Sequence, residues 1–332
     1  MHVENQICRI FWEKTEYQSA RILRVFSKLP VLKLPDQIAG YPVTELGSYC
    51  FAPDCHLPDT FLTTDTDDMH MVLTDFCGSY PQMIYLPDTL QKIGNYAFYN
   101  CRHLYGLWFS DSLRSVGSDV FMNCNHLHQI SLTCNPDESS GLRQILAQIS
   151  WDVEVSFFGR NYMQNTEPKA VIFYPEFYEA YDEIAPAHIF GRKIIGEGFR
   201  CRQCFSEGII DFAQYDQIFS KACIDESEQT LCHMAFCRIR YPYHLVSSVK
   251  KQYADYILSY SKPLCEQLVK ERRLQDLAAL FQEKLLTSQM VRYVLFLAAQ
   301  TGWSEGNASM LRWNQALNQS EKQKRYDFDD FI

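Results

Sequence analysis

The sequence predicts a mixed α+β chain, in which a short β-solenoid of 23-residue units is followed by a mostly α-helical region. Residues 86–108 and 109–131 align with identical residues at eight of 23 positions. Each of these units ends in the period-2 alternation of apolar residues that is typical of a strand with one buried face. From about residue 209 onward the apolar spacing becomes helical instead.

Composition and charge favour a folded protein whose partner is not a nucleic acid. Of the 332 residues, 47% are hydrophobic and 21% are charged, and 22 Phe with 20 Tyr supply large packing surfaces. The formal net charge of −9 argues against a nucleic-acid binder, which usually presents a basic patch. No run of apolar residues approaches the roughly 18 that a membrane span requires. The length suggests two or three domains.

A cytoplasmic location is expected from the start of the chain and from its cysteines. Residues 1–6 lack the basic segment followed by an apolar stretch that marks a signal peptide. The 13 cysteines are an odd number and are scattered without the spacing of a disulfide scaffold. Thiols distributed in this way fit a reducing compartment.

The identical positions of the two best units indicate how each unit folds. They are Asp88/Asp111, Leu90/Leu113, Gly94/Gly117, Phe98/Phe121, Asn100/Asn123, Cys101/Cys124, His103/His126 and Leu104/Leu127. Glycine is expected where a tight turn has no room for a Cβ. Phenylalanine is expected as a plug between coils, and the cysteines as a buried ladder of inert thiols. A single unit cannot bury its apolar face alone, whereas stacked units can.

Parts of the unit also occur earlier in the chain. Leu34-Pro35-Asp36 repeats as Leu86-Pro87-Asp88, and the segment 46–51 repeats as 93–98. Phe51 and Phe98 are 47 positions apart, close to two periods. Either a degenerate repeat or an inserted loop therefore fills residues 55–85.

These residues resemble the BspA-like leucine-rich repeats over about residues 30–135. The matching positions are Leu86-Pro87, Leu90, Ile93-Gly94, Ala97-Phe98, Cys101, Leu104 and Leu107, where the family's unit has L-P, L, I-G, A-F, C, L and I. The resemblance implies a solenoid that binds proteins, and a bacterial source, since the family is common in anaerobic bacteria and some protists. Members look like surface or secreted adhesins, whereas this chain lacks an export signal and has few repeats.

The rest of the chain divides by changes in pattern. Asn135-Pro136 breaks the repeat, and the last residues are charged. The predicted segments are an N-terminal capping hairpin (1–29), the leucine-rich repeats (30–135), a capping helix and strand with a connector (136–208), an α-helical domain (209–318) and a mobile tail (319–332). Within the helical domain, acids at 225–228 and the cations Arg238 and Arg240 mark the ends of one helix, as the helix dipole favours.

The C-terminal helices carry a weak resemblance of their own. Leu277 and Leu280 recur as Ala308 and Leu311 at an offset of 31 residues. This spacing resembles the paired helices of ankyrin-like arrays over about residues 265–318, although the T-P-L-H signature of ankyrin repeats is absent. The resemblance implies a helical repeat in this part of the chain.

The sequence predicts no catalytic site, metal or cofactor. It has neither the H-E-x-x-H motif of zinc proteases nor the G-x-S-x-G motif of serine hydrolases. The best zinc candidate combines Cys201 and Cys204, a C-x-x-C pair, with His233 and Cys237, which lie one helical turn apart. A second C-x-x-C pair is lacking, and buried cysteines commonly serve as small hydrophobes. We therefore expect these residues to be structural.

The candidate binding face is the outer side of the repeat sheet. In each strand, the residue between two buried apolar residues points outward. Those residues are Lys33, Tyr85, Trp108 and Ser131, the last three spaced by 23. Tyrosine and tryptophan are types that anchor protein interfaces. The alternative is that this face is covered by the connector or the helical domain.

The function predicted from the sequence is a non-catalytic protein–protein interaction or scaffold role, with a protein partner that the sequence does not identify. Two other functions stay open. The helical half could assemble a structural or regulatory homo-oligomer, or the chain could be an unrecognised enzyme-associated module. A stable dimer would favour the first, and a deep pocket with several polar groups would favour the second.

Overall fold

A computed structural model describes residues 8–65, 72–160, 167–184 and 189–329, with side chains described except at 182–184, 189–190 and 320–329. The chain divides into two compact units, Met1–Ile218 and Phe219–Ile332. A β-solenoid occupies the first unit and helices form the second, so the predicted α+β class is confirmed. The second unit begins at Phe219, whereas the sequence analysis begins the helical domain at 209. The proposed division into five segments stays a prediction.

The elements of the first unit are mostly short strands. They are β1 (Cys8–Lys14), β2 (Ala20–Ser27), β3 (Val31–Lys33), β4 (Gln37–Ile38), β5 (Tyr41–Leu46), β6 (Leu62–Asp65), β7 (Thr74–Asp75), β8 (Met83–Tyr85), β9 (Lys92–Ile93), β10 (Gly106–Phe109), β11 (Ser115–Val116), β12 (Gln129–Leu132), α1 (Leu142–Leu146), β13 (Val153–Phe157), β14 (Ala170–Tyr174), β15 (Tyr178–Ile184), β16 (Ile189–Ile195), α2 (Gly198–Cys201), β17 (Phe205–Ser206) and β18 (Ile209–Ile210). The boundary between the units falls within α3 (Phe212–Asp225).

Two sheets enclose the core of the solenoid. The first, called here the hairpin sheet, has the order β11-β9-β5-β2-β1-β6, with β4 also paired to β5 and β7 to β2. The second, the parallel sheet, has the order β14-β13-β12-β10-β8-β3, in which only the edge strand β14 is antiparallel. Each of the two best repeats contributes one strand to each sheet: β9 and β10 come from the first, and β11 and β12 come from the second.

A column of phenylalanines fills the space between the sheets. Phe51, Phe98 and Phe121 are fully buried, and neighbouring rings are stacked with centroids 4.9 Å and 5.4 Å apart. The Cys101 thiol donates to the Phe51 carbonyl, and the Cys124 thiol donates to the Phe98 carbonyl in the same way. Burial raises the pKa of the Cys124 thiol to about 12, as expected for an inert structural cysteine. The two best repeats therefore have one geometry.

The repeated glycines allow adjacent coils to approach each other closely. A Cβ on Gly94 would lie 2.5 Å from the Ser48 nitrogen, and one on Gly117 would lie 2.7 Å from the Asn95 nitrogen. Neither glycine has a positive φ. The requirement for glycine therefore comes from the backbone of the preceding coil and not from the predicted tight turn.

The repeated asparagines occupy the left-handed turns. Asn100 and Asn123 have φ of 61° and 64°, a region that asparagine tolerates better than most residues. Their side chains pair, with the Asn123 Nδ2 donating to the Asn100 Oδ1 over 2.8 Å. Hydrogen bonds therefore join successive coils at these turns as well as along the strands.

The segment between Ala52 and Gln82 is an insertion in the described part of the solenoid. Its strands β6 and β7 do not join the parallel sheet, but pair with β1 and β2 in the hairpin sheet. Residues 66–71 of this segment lie outside the described residues. The inserted loop, rather than a degenerate repeat, accounts for the double period between Phe51 and Phe98.

Residues 136–208 begin with a helix and a strand, as predicted, and hold further strands where a connector was predicted. Helix α1 and strand β13 follow the repeats, and β14 then pairs with β13 in antiparallel register. Strands β15 and β16 form a separate antiparallel hairpin. The sequence gives weak periodicity here because β14 is buried at every position and therefore does not alternate.

The second unit is helical throughout its described elements. They are α4 (Glu228–Arg240), α5 (Ser247–Ser259), α6 (Ser261–Lys270), α7 (Leu274–Gln282), α8 (Ser288–Gln300) and α9 (Ser304–Asp329). The Ser227 hydroxyl caps α4 by accepting from the Thr230 nitrogen, and Arg238 and Arg240 lie in the last turn, where the sequence placed them. Helix α9 continues to Asp329, whereas a tail was predicted from residue 319.

The 31-residue helical offset does not relate equivalent positions. Leu277 and Leu280 are buried in α7, whereas Ala308 and Leu311 are exposed in α9. The buried residues of α9 include Ser309 and Met310 instead. The residues related by this offset therefore lie on the buried face of α7 but on the exposed face of α9. The ankyrin-like resemblance is not supported.

Truncation of the phenylalanine column should destabilise the fold strongly. Phe121→Ala removes a fully buried ring at the end of the stack, so we expect a loss of about 3–5 kcal/mol in the free energy of unfolding, measured with denaturant. The matched control is Met122→Ala, since this neighbour is exposed and its loss should change stability by less than about 0.5 kcal/mol. Equal effects of the two substitutions would contradict the assigned core.

Candidate binding face

The four predicted face residues lie in one row across the parallel sheet. The strand register pairs Lys33 with Tyr85, Tyr85 with Trp108, and Trp108 with Ser131. Ser156 of β13 continues the same row. The flanking strand residues are buried in the core: Leu32, Leu34, Ile84, Leu86, Leu107, Phe109, Ile130 and Leu132. Strand alternation therefore places this row, called here the ladder row, on the outer side of the sheet.

The aromatic residues of the ladder row form a stack. The rings of Tyr85 and Trp108 have centroids 5.3 Å apart, and Phe158 stacks on Trp108 at 4.8 Å. Because Phe158 follows β13, two strands away from β10, the rings meet across β12. Ser131, the residue that β12 contributes to the row, is only 8% exposed. Ser131 therefore lies on the outer side of the sheet with the rest of the row, but it is largely covered, and its part in a binding face stays a prediction.

Coverage of the face is partial. Phe158 belongs to the connector that is predicted after the capping strand, and its ring covers one side of Trp108. Lys33 remains exposed, while Tyr85 and Trp108 are half-buried. Among the residues that the structure describes in the first unit, the face is therefore neither fully open nor fully covered.

A cavity of about 260 Å³ lies where the strands of the ladder row end. Its lining residues are Lys33, Leu34, Asp36, Tyr85, Leu86, Asp88, Trp108, Phe109, Thr133 and Arg160. Of the apolar members, Leu34, Leu86 and Phe109 are buried, whereas Tyr85 and Trp108 are half-buried. Of the polar members, Lys33 ends β3, and the others follow the ends of strands. We call this the ladder cavity.

The polar groups of the ladder cavity bond to one another. The backbone nitrogen of Asp88 donates to the Asp36 Oδ1 over 2.8 Å, and the Thr133 hydroxyl donates to the Asp88 Oδ1 over 3.1 Å. Arg160 forms ion pairs with Asp111 at 2.7 Å and with Glu138 at 3.1 Å. These bonds hold the carboxylates in fixed positions around the cavity.

The environment of Asp88 disfavours its charged form. Although the residue as a whole is exposed, partial desolvation of its carboxyl raises the pKa above the ordinary value, and the charge of Asp36 adds to this. The Thr133 hydrogen bond and the charge of Lys33 oppose the shift. Asp88 thus lies in a locally acidic environment.

A second cavity of about 290 Å³ lies at the opposite end of the same strands. It is lined by Val31, Gln82, Met83, His103 and Tyr105. Val31 and Met83 precede Lys33 and Tyr85 by two residues, so they share the outer side of the sheet. The outer side of the parallel sheet therefore has one cavity near each end of its strands.

Sequence reasoning found the row but not the surrounding polar groups. Asp36 and Asp88 could have been added, since both end an L-P-D run and Asp88 is repeated as Asp111. Thr133 lies just after the second aligned unit and Arg160 lies beyond the repeats, so neither was among the aligned positions. Phe158 was assigned to the connector, so only the register of β13 reveals that it reaches Trp108.

The zinc candidates are divided between the two units. Cys201 and Cys204 belong to the first, where both are buried and the Cys204 thiol donates to the Arg200 carbonyl over 3.5 Å. His233 and Cys237 belong to the second, where His233 Nδ1 lies 3.1 Å from the Gln267 Nε2. Burial raises the pKa of Cys204 to about 12, which favours the neutral thiol over a zinc-binding thiolate. The structural role of these residues stays a prediction.

Comparisons with known proteins locate the repeats. Residues 74–140 match a family model described as the BspA type leucine rich repeat region (6 copies), which confirms the predicted resemblance for that segment. A solved leucine rich repeat protein of T. pallidum (TpLRR) is 21% identical, over 40% of this chain and 72% of that one, with a TM-score of 0.22. No curated protein matches the chain. Among the described helices, none has the length and apolar character needed to cross a bilayer.

Replacing Trp108 should cost less stability than replacing a core phenylalanine. Its ring is half-buried and stacked on two neighbours, so Trp108→Ala should lower the free energy of unfolding by about 1–2 kcal/mol, intermediate between surface and core truncations. Trp108→Phe, which keeps an aromatic ring in the stack, should recover most of that loss. Denaturant unfolding measures both. A loss as large as that of Phe121→Ala would make Trp108 an internal packing residue.

Proposed function

We propose that the chain binds a protein partner through its parallel sheet. The match of residues 74–140 to the BspA-type leucine-rich repeats supports this proposal. The contact surface is the ladder row, in which Lys33, Tyr85 and Trp108 are accessible and the buried Ser131 lies beneath the rings. One observation carries the proposal: two aromatic residues of types that anchor interfaces stack in register on the outer side of a rigid sheet, and both remain partly exposed.

Binding fits the ladder cavity better than catalysis does. Its volume of about 260 Å³ is below the range of roughly 300–1,000 Å³ that is common for small-molecule sites. Asp36 and Asp88, which would be its acid–base candidates, already accept hydrogen bonds from the protein. A cavity of this kind suits one side chain of a partner. We therefore propose a non-catalytic function.

A second candidate function is homo-oligomerisation through the helical unit. Exposed apolar side chains on the helices of that unit favour it. Phe296 of α8 and Leu311 of α9 are each more than half exposed, and Leu258 of α5 is 43% exposed. Large apolar side chains of this kind can form an interface between copies. Sedimentation at micromolar concentration tests the candidate: a dimer that Phe296→Ser dissociates supports it, and a monomer at all concentrations contradicts it.

The proposed location is the cytoplasm. Support comes from the cysteines, since 13 are free thiols and most are buried among apolar side chains. Desolvation raises the pKa of several of them to about 12, including Cys124, Cys134 and Cys265. Such thiols persist in a reducing compartment.

Alkylation tests this location. The protein is isolated from its source without reductant, denatured and alkylated, and its mass is measured. We expect 13 alkyl groups per chain, because every cysteine is a free thiol. A mass that shows stoichiometric disulfides would indicate an oxidising compartment and contradict the proposal.

Partner capture tests the binding face. The intact chain, Trp108→Ala and Tyr85→Ala are immobilised and exposed to extract from the source organism, and bound proteins are identified by mass spectrometry. The matched control is Tyr96→Ala, which removes a half-buried tyrosine stacked on Tyr49, in a turn rather than on the sheet. A partner should be lost from both face variants and kept by the control. Equal capture by all four proteins would contradict the proposal.

A further inference from the structure

Carboxylates outnumber cations around the ladder cavity. Its lining includes the cations Lys33 and Arg160 and the carboxylates Asp36 and Asp88. Arg160 is bound in addition by Asp111 and Glu138. Two cations and four carboxylates leave a formal excess of two negative charges, in a chain whose net charge is −9.

The cavity combines these charges with an apolar wall. Leu34, Leu86 and Phe109 are almost fully buried and present apolar surface, and Tyr85 and Trp108 add aromatic surface. A long basic side chain has the same two parts, because its methylene stem packs on apolar surface while its charged head contacts polar groups. The cavity volume of about 260 Å³ limits the occupant to a single side chain.

From this charge and shape we infer that the ladder cavity binds an arginine or lysine side chain of the protein partner, with its head at Asp36 and Asp88 and its stem against Tyr85 and Trp108. This inference rests on the proposed function and adds the chemistry of the partner: the segment that docks on the sheet is basic. Arginine is favoured over lysine, because its planar guanidinium can bind carboxylates through two parallel hydrogen bonds.

An acidic partner residue fits less well. The guanidinium of Arg160 lies between Asp111 and Glu138, so a third carboxylate would have to compete with two that are already in place. Lys33 is exposed and lies beside Asp36 and Asp88, which oppose the approach of another anion. A cation would instead relieve the repulsion between the two aspartates. Lys33 is then a competitor of the partner's basic residue.

A position-scanning library of immobilised peptides tests the inference. Each pool has one residue type fixed at its central position and random residues around it, and the labelled full-length chain is the probe. We expect pools with central arginine to bind about fivefold to tenfold more protein than pools with central glutamine, with lysine between them. Binding to the arginine pools should weaken at high salt, since the contacts are charged and partly exposed.

Substitutions in the chain assign the preference to the cavity. The double variant Asp36→Asn with Asp88→Asn keeps the oxygen acceptors for the Asp88 nitrogen and the Thr133 hydroxyl, so it should unfold like the unaltered chain. It should nevertheless lose the preference for arginine. Lys33→Gln should strengthen binding to the arginine pools by about twofold to threefold. The matched control is Asp59→Asn, an exposed carboxylate outside the cavity, and it should change nothing.

The outcomes separate this inference from the proposed function. If glutamate or leucine pools bind best and Trp108→Ala abolishes that binding, the face binds peptides and the inference of a basic partner is wrong. If the arginine preference survives the double aspartate substitution, the basic residue docks elsewhere and the inference is also wrong. If no pool binds and Trp108→Ala captures the same proteins as the unaltered chain, both fail.

Discussion

The stacking of Phe51, Phe98 and Phe121 between the two sheets is the interaction on which the rest of the structure depends. A leucine-rich-repeat coil of 23 residues has too little apolar surface to be stable alone, so each ring is buried only because the next coil covers it. The contact also sets the distance between coils, which brings Gly94 so close to Ser48 that no side chain fits. Equal spacing of the coils in turn places Lys33, Tyr85, Trp108 and Ser131 in one row.

Periodic sequence predicted periodic structure in this chain. The alignment of 86–108 with 109–131 was sufficient to relate Phe98 to Phe121, Cys101 to Cys124 and Trp108 to Ser131, because repeat-equivalent residues have the same neighbours one coil further on. The same reasoning was wrong for Leu280 and Leu311, whose offset of 31 residues was interpreted as the period of a helical repeat. Helical repeats need agreement of the buried stripe, and those two residues do not share one.

The polar part of the site depends on contacts that no local pattern encodes. Thr133 and Arg160 line the ladder cavity from the ends of strands β12 and β13, and Phe158 reaches Trp108 across an intervening strand. The positions of all three residues follow from the order of the strands. The contact between Phe158 and Trp108 also depends on the small side chain of Ser131 beneath the two rings. Strand order between distant segments is a property of the tertiary fold, so the acidic character of the cavity emerged only from the structure.

Hydrogen exchange of backbone amides tests most directly that the coils form one cooperative stack. The amides of Phe51, Phe98 and Tyr96 donate to carbonyls of the following coil, so each of them can open only when two coils separate. The account predicts that these amides exchange slowly, with similar opening free energies close to that of global unfolding. Fast and unequal exchange of the three amides in the folded protein would show that the coils open independently, and would contradict the account.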